Sequence, residues 1–218
     1  MVPMGLMKYK NEIESKNPID QSIKYYINTW RKHLGSNENL EFIAREYPEH
    51  ITRKNLFNLA SEAKSSGDVK DITNLFLGTM IWGYGTTGYG AWRTKEMFST
   101  SNFRDVISRS FELIIENNLV AAYSNFEINR CGPPFFTKYF YFIGYGCDLR
   151  KYPLILDTNV YNALKDKIRI NISWYVKKST WWYPNGYVRY VNAMHEWAGE
   201  LDCEAHNIEY FLFELGGD

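Results

Sequence analysis

Lys138 and Asp157 are the two residues whose types and surroundings point most directly to chemistry. Lys138 follows the turn Cys131-Gly132-Pro133-Pro134 and lies among Phe135, Phe136, Tyr139, Phe140, Tyr141, Phe142 and Ile143. The stretch from Phe135 to Ile143 reads as an apolar helix ended by Gly144-Tyr145-Gly146, with the lysine in about its first turn. An ammonium at the positive end of a helix, in apolar company, is disfavoured by desolvation and by the helix dipole. The neutral amine gains, and a neutral lysine amine is a nucleophile able to form a Schiff base. Asp157 follows 19 residues later, after Leu154-Ile155-Leu156 and ahead of another helical stretch. A carboxylate there caps the helix. Beside the lysine it would also stabilise positive charge growing at a carbon whose bond is breaking, or help activate the attacking group. Taken singly, an N-capping aspartate and a lysine snorkelling from an apolar helix are ordinary. Their order singles them out: turn, lysine, apolar helix, glycine, extended apolar run, aspartate, helix.

A second segment bears on what such a pair would act upon. Between Trp82 and Trp92 four glycines, at 83, 85, 88 and 90, alternate with Trp82, Tyr84, Tyr89 and Trp92. This reads as a loop. Flat rings can sandwich a planar ligand, and glycines let backbone approach it closely. Trp82, Tyr84, Tyr89 and Trp92 are therefore candidate pocket walls, with Trp181 and Trp182 as a candidate wedge or cover. The structural alternative is a glycine-rich packing turn between two helices. No Gly-Lys-Ser/Thr follows and no strand precedes, so the segment is neither a P-loop nor a dinucleotide fingerprint.

Formal net charge is zero, yet the charges are segregated. Residues 128–195 carry ten Lys/Arg against three Asp/Glu, and residues 196–218 carry seven Asp/Glu and no Lys/Arg. A basic central segment suits a polyanion, with the acidic C-terminal helix facing elsewhere. Two solvated helix faces would give the same counts. Arg150, Lys151, Lys165, Lys167, Arg169, Lys177 and Lys178 are the candidate phosphate contacts. The three cysteines, 131, 147 and 203, form no Cys-x-x-Cys, and the four histidines show no ligand spacing. No metal site, iron–sulfur cluster or other cofactor is expected. The cysteine count fits a reduced, cytoplasmic setting. No apolar run reaches the ~20 residues needed to span a membrane, and the N-terminus lacks a signal-peptide core.

The elements that must position these groups read as helices, so the fold class is mainly α. Helical stretches are expected at about 18–33, with Ile23, Tyr26, Ile27 and Trp30 on one face, and at 37–47. Thr52 and Asp68 are N-cap signals for two more, and others follow at about 102–117, to about 126, and at 157–165, 187–201 and 204–215. Strand evidence is confined to weak runs such as Arg169–Tyr175. At 218 residues with 45% hydrophobic content, the chain suits one domain. N-terminal helices would fill about 1–67 and a catalytic core about 68–216.

The ordered set around Lys138 and Asp157 resembles the helix-hairpin-helix DNA glycosylases, especially their 8-oxoguanine branch. Ile155-Leu156-Asp157-Thr158-Asn159-Val160 is similar to that branch's aspartate motif. Tyr187, Tyr190, Ala198, Leu201 and the run Ile208-Glu209-Tyr210-Phe211-Leu212-Phe213-Glu214-Leu215-Gly216 resemble the closing helices of its small members. The likeness spans about residues 68–216. It implies a helix-hairpin-helix fold of two closely packed helical lobes, acting as a monomer on double-stranded DNA that holds a damaged or modified base. Lys138 would be the nucleophile, with a possible abasic-site lyase step, and Asp157 would assist. Oxidised guanine is implied by the likeness alone, and a bulky modified base of phage DNA is a rival substrate. Two positions depart from the pattern. Pro133-Pro134 replace a Gly-x-Gly whose amides grip phosphate, and proline has no N–H to offer. Asn159 stands where relatives carry histidine. The competing reading is a non-catalytic DNA-binding or helical interaction protein that keeps the fold.

Overall fold

The structure, a computed structural model, describes residues 1–175 and 183–217, apart from the side chain of Trp174. Two short helices, α1 (Met4–Met7) and α2 (Lys10–Glu14), lead to strand β1 (Ser22–Lys24). Helices α3 (Ile27–Leu34) and α4 (Glu38–Glu46) precede strand β2 (His50–Thr52). Then come α5 (Arg53–Ser66), α6 (Val69–Tyr84), α7 (Gly90–Phe98), α8 (Phe103–Ile115) and α9 (Leu119–Ser124). Helix α10 (Pro133–Gly146) is followed by an extended segment and by α11 (Thr158–Asn162), which runs into a π-helical turn, Ala163–Lys167. A 3-10 turn (Ile172–Trp174), α12 (Pro184–Leu201) and α13 (Ala205–Gly217) complete a mainly helical fold. Among the described residues no helix is long and apolar enough to cross a membrane.

The helix boundaries follow from caps that the sequence displays. Thr52 accepts a bond from the Asn55 amide while Asn55 answers the Thr52 amide, a reciprocal box that starts α5. Gly67 ends that helix at φ 65°, a conformation glycine enters without strain. Asp68 accepts from the Lys70 amide and starts α6. Most of α6 and α10 is buried on every side, so these two helices form the centre of the molecule.

Four expectations are corrected. Residues 18–33 do not form one helix: Ser22, Ile23 and Lys24 pair antiparallel with Thr52, Ile51 and His50. That partner lies far along the chain and leaves no local periodicity. The stretch 82–92 is only partly a loop. Helix α6 continues through Trp82, Gly83 and Tyr84, and α7 begins at Gly90, because the surrounding packing outweighs glycine's low helix propensity. Gly144 and Gly146 likewise lie inside α10 rather than ending it. A Cβ on Gly144 would collide with Pro153, and one on Gly146 would come within 2.6 Å of the Phe57 carbonyl oxygen, so both mark close approaches. No strand forms at 169–175.

Candidate active site

Lys138 is the sixth residue of α10, one turn deeper than a position at the helix start. Its side chain runs back toward the N-terminus, and Nζ donates to the Pro134 carbonyl at 2.8 Å and to Asp157 Oδ2 at 3.1 Å. The lysine and aspartate side chains are 9% and 12% exposed, so the ion pair is largely shielded from solvent. Asp157 uses its other oxygen, Oδ1, to accept from the amides of Asn159 (3.1 Å) and Val160 (3.2 Å), which caps α11. The carboxylate thus caps α11 and at the same time pairs with the lysine.

The segment that delivers Asp157 is extended but belongs to no sheet. Its buried backbone groups find partners on side chains instead. Tyr187 Oη donates to the Leu154 carbonyl at 2.7 Å, and Tyr190 Oη donates to the Ile155 carbonyl at 2.7 Å. The Leu156 amide donates to Thr137 Oγ1 at 3.1 Å. Thr137 adjoins Lys138, so one turn of α10 sets both members of the pair.

Lys138 and Asp157 line a cavity of about 130 Å³. Trp82 and Gly83 come to it from α6, Ile155 from the extended segment, and Glu209 and Phe213 from α13. Gln21, Ile23 and Arg53 reach it from the N-terminal part of the chain. Arg53 and Glu209 are buried and joined by a bond of 2.9 Å, and Arg53 Nε also donates to Gln21 Oε1 at 2.8 Å. The guanidinium lies over the rings of Trp82, Tyr141 and Tyr210 at 5.1–5.4 Å. Burial opposes the arginine's charge, but Glu209 and Tyr141 more than offset it, and its pKa lies above the ordinary value. Burial pushes the Glu209 carboxyl upward against the pull of Arg53. Two buried polar atoms of the lining, Trp82 Nε1 and Glu209 Oε1, have no hydrogen-bond partner among the described residues.

Of the aromatic residues singled out between 82 and 92, Trp82 lines the cavity and the other three do not. Tyr84 is buried one layer away, stacked on Phe135 at 4.1 Å. Tyr89 and Trp92 are exposed. The helical course of 82–84 turns Trp82 and Tyr84 to different faces, and Tyr89 and Trp92 belong to the start of α7. Arg150, Lys151, Lys165, Lys167 and Arg169 are exposed and stand apart from the cavity lining. Lys177, Lys178, Trp181 and Trp182 lie outside the described residues. The acidic C-terminal helix does not simply face away, because its Glu209 is a cavity wall. Sequence reasoning missed Gln21, Ile23, Arg53, Glu209 and Phe213. A signal existed for Glu209, a charge set in the apolar run Ile208–Phe213 of α13. No comparable signal marks Arg53, which looks like any first-turn cation.

Fold and site together define a mainly helical protein with a shielded lysine–aspartate pair in the wall of a small cavity. A family model described as "Putative 8-oxoguanine DNA glycosylase OGG-like protein" matches residues 16–213, a span that contains every cavity residue named above. The chain belongs to this family. No curated protein and no solved structure matches it.

Proposed function

We propose that the protein is a DNA glycosylase that removes a damaged or modified base from DNA, with Lys138 as nucleophile and Asp157 as its assistant. The observation that carries this reading is the Lys138–Asp157 contact of 3.1 Å in the cavity wall. A glycosylase extrudes its target nucleotide into such a pocket. Asp157 Oδ2 is already bonded to Nζ and is in place to take the proton that the ammonium must give up. The freed amine attacks C1′ as the base departs with the bonding electrons of the glycosidic bond. Asp157 passes the proton it took to the departing base and, a carboxylate again, stabilises the positive charge that grows on the sugar. The C1′–O4′ bond then opens to give a Schiff base, with a proton from Nζ passing to O4′, and loss of a C2′ proton expels the 3′ phosphate and nicks the strand.

Oxidised guanine suits the cavity chemically. The free Trp82 N–H can donate to a carbonyl oxygen, and the free Glu209 oxygen can accept from a ring N–H. Arg53, bonded to Glu209 and Gln21, holds the carboxylate in place. In the helix-hairpin-helix reading, α9, the connection 125–132 and α10 are the two helices and their hairpin. With proline at 133 and 134, fewer amides there can hold phosphate, so the exposed cations must supply more of the backbone contact.

The test is covalent trapping. A duplex with 8-oxoguanine opposite cytosine, incubated with the protein and borohydride, should yield a stable adduct, and Lys138→Gln should yield none. Undiminished base release by Lys138→Gln would overturn the assignment of the nucleophile.

A further inference from the structure

Two rings of the aromatic–glycine stretch take no part in the cavity, and they form a surface of their own. Tyr89 directly precedes α7, and Trp92 lies three residues further on, so both project from one side of that helix start. They are 54% and 38% exposed. Each carries a cation: the Arg93 guanidinium lies 5.0 Å from the Tyr89 ring centre, and that of Arg130 lies 4.9 Å from the Trp92 ring centre. Neither arginine forms an ion pair with a carboxylate among the described residues. Both charges remain available to an anion. The preceding loop is open, since a Cβ on Gly88 would meet nothing within 4 Å.

The patch is tied to the catalytic lysine through two rings. Tyr89 packs edge-on against Tyr84 at 5.7 Å, Tyr84 stacks on Phe135, and Lys138 Nζ lies 5.7 Å from the Phe135 ring centre. Arg130 sits in the turn that opens α10, the helix of Lys138.

We infer that Tyr89 and Trp92, with Arg93 and Arg130, form a stacking platform for unpaired nucleotides of the DNA strand that enters the cavity. The inference rests on the DNA glycosylase reading above and adds a substrate class to it: single-stranded or locally melted DNA. Bases in a duplex have both faces covered by their neighbours. Only unstacked bases can use exposed rings, and they do so with little regard to sequence. Two unneutralised guanidinium groups beside the rings match the phosphates of such a strand. A platform next to the cavity would hold the flanking nucleotides while one base is turned inward.

Fluorescence anisotropy with a short oligothymidylate and with a blunt duplex of equal length tests this. The double variant Tyr89→Ala/Trp92→Ala should bind the single strand about ten-fold or more weakly. Its duplex affinity, its melting temperature and its borohydride trapping at an abasic duplex should stay near wild type. Tyr89→Phe/Trp92→Phe keeps the stacking faces and should restore single-strand binding. Trp92→Ala alone, at an exposed position, gives the same readout in smaller measure should the double variant lose stability. Unchanged single-strand affinity, or an equal loss on both ligands, overturns the platform. If the wild-type protein binds neither ligand and traps no DNA, the DNA glycosylase reading falls as well. If it excises and traps normally while the alanine variants bind single strands as wild type does, only the platform falls.

Discussion

Asp157 divides its two carboxylate oxygens between a helix cap and an ion pair. Oδ1 is committed to the two amides at the start of α11, and Oδ2 to the lysine ammonium. Asp157→Asn separates the two functions. The amide oxygen of asparagine still caps a helix about as well as aspartate does, but the negative charge that the proposed mechanism uses is gone. Base excision in single-turnover assays should fall by at least about two powers of ten. DNA affinity should be nearly kept, and the melting temperature should change little. A variant that loses stability and keeps excision in proportion to its folded fraction would reduce Asp157 to a cap. The cap was readable in the sequence, because an aspartate after an apolar run and ahead of a helix is visible locally. The ion pair itself was foreseeable only as an ordering of motifs, since the contact spans 19 residues.

At the scale of elements, the extended run 154–156 is the part whose design the sequence conceals. Local patterning identifies an apolar strand-like stretch but not what satisfies its backbone. The answer is three hydroxyl groups, from Thr137, Tyr187 and Tyr190, each on a helix that already looks like core. Tyr187 and Tyr190 lie one helical turn apart, so α12 presents both to consecutive carbonyls. Tyr190→Phe removes only the donor and leaves the Ile155 carbonyl buried without a partner, at a cost of about 1–3 kcal/mol. The melting temperature should fall by several degrees. If the bond also fixes Asp157, the rate of excision at saturating DNA should fall about ten-fold while binding to an abasic site is unchanged. A drop in stability with an unchanged rate would confine Tyr190 to packing. Caps such as Thr52 and Asp68 were legible because their partners are three or fewer residues away. The pairing of β1 with β2, and the helical course of Trp82-Gly83-Tyr84, were not, because both are imposed by distant neighbours.

At the scale of the whole molecule, the segregated charges are matched across the fold rather than along the chain. The acidic C-terminal segment meets cations of the N-terminal part. Glu200 holds the terminal ammonium at 2.8 Å, Glu214 holds Lys16 at 2.8 Å, and Glu209 holds Arg53 inside the cavity wall. These pairs tie the N-terminal part of the chain to α12 and α13, and the cavity draws on residues from both the N-terminal part and α13. They also consume acidic groups that would otherwise offset the basic segment. Within residues 128–195 the ion pairs seen among the described residues are Lys138 with Asp157 and Lys165 with Asp166. Arg150, Lys151, Lys167 and Arg169 remain exposed and uncompensated there. Lys165 and Lys167 lie in the π-helical turn that continues α11, the helix capped by Asp157, and Arg169 follows that turn. If they hold phosphates around the extruded nucleotide, replacing all three by alanine should weaken binding to every DNA sequence alike. The plot of log affinity against log salt should flatten by about 0.9 for each phosphate no longer neutralised, up to roughly 3 in slope. Single-turnover excision at saturating DNA should hold close to wild type, because none of the three lines the cavity. An unchanged slope would turn this basic turn away from DNA and move the electrostatic footprint to Arg150 and Lys151. A slower rate without a change in slope would mean that the turn acts through α11 on Asp157 instead.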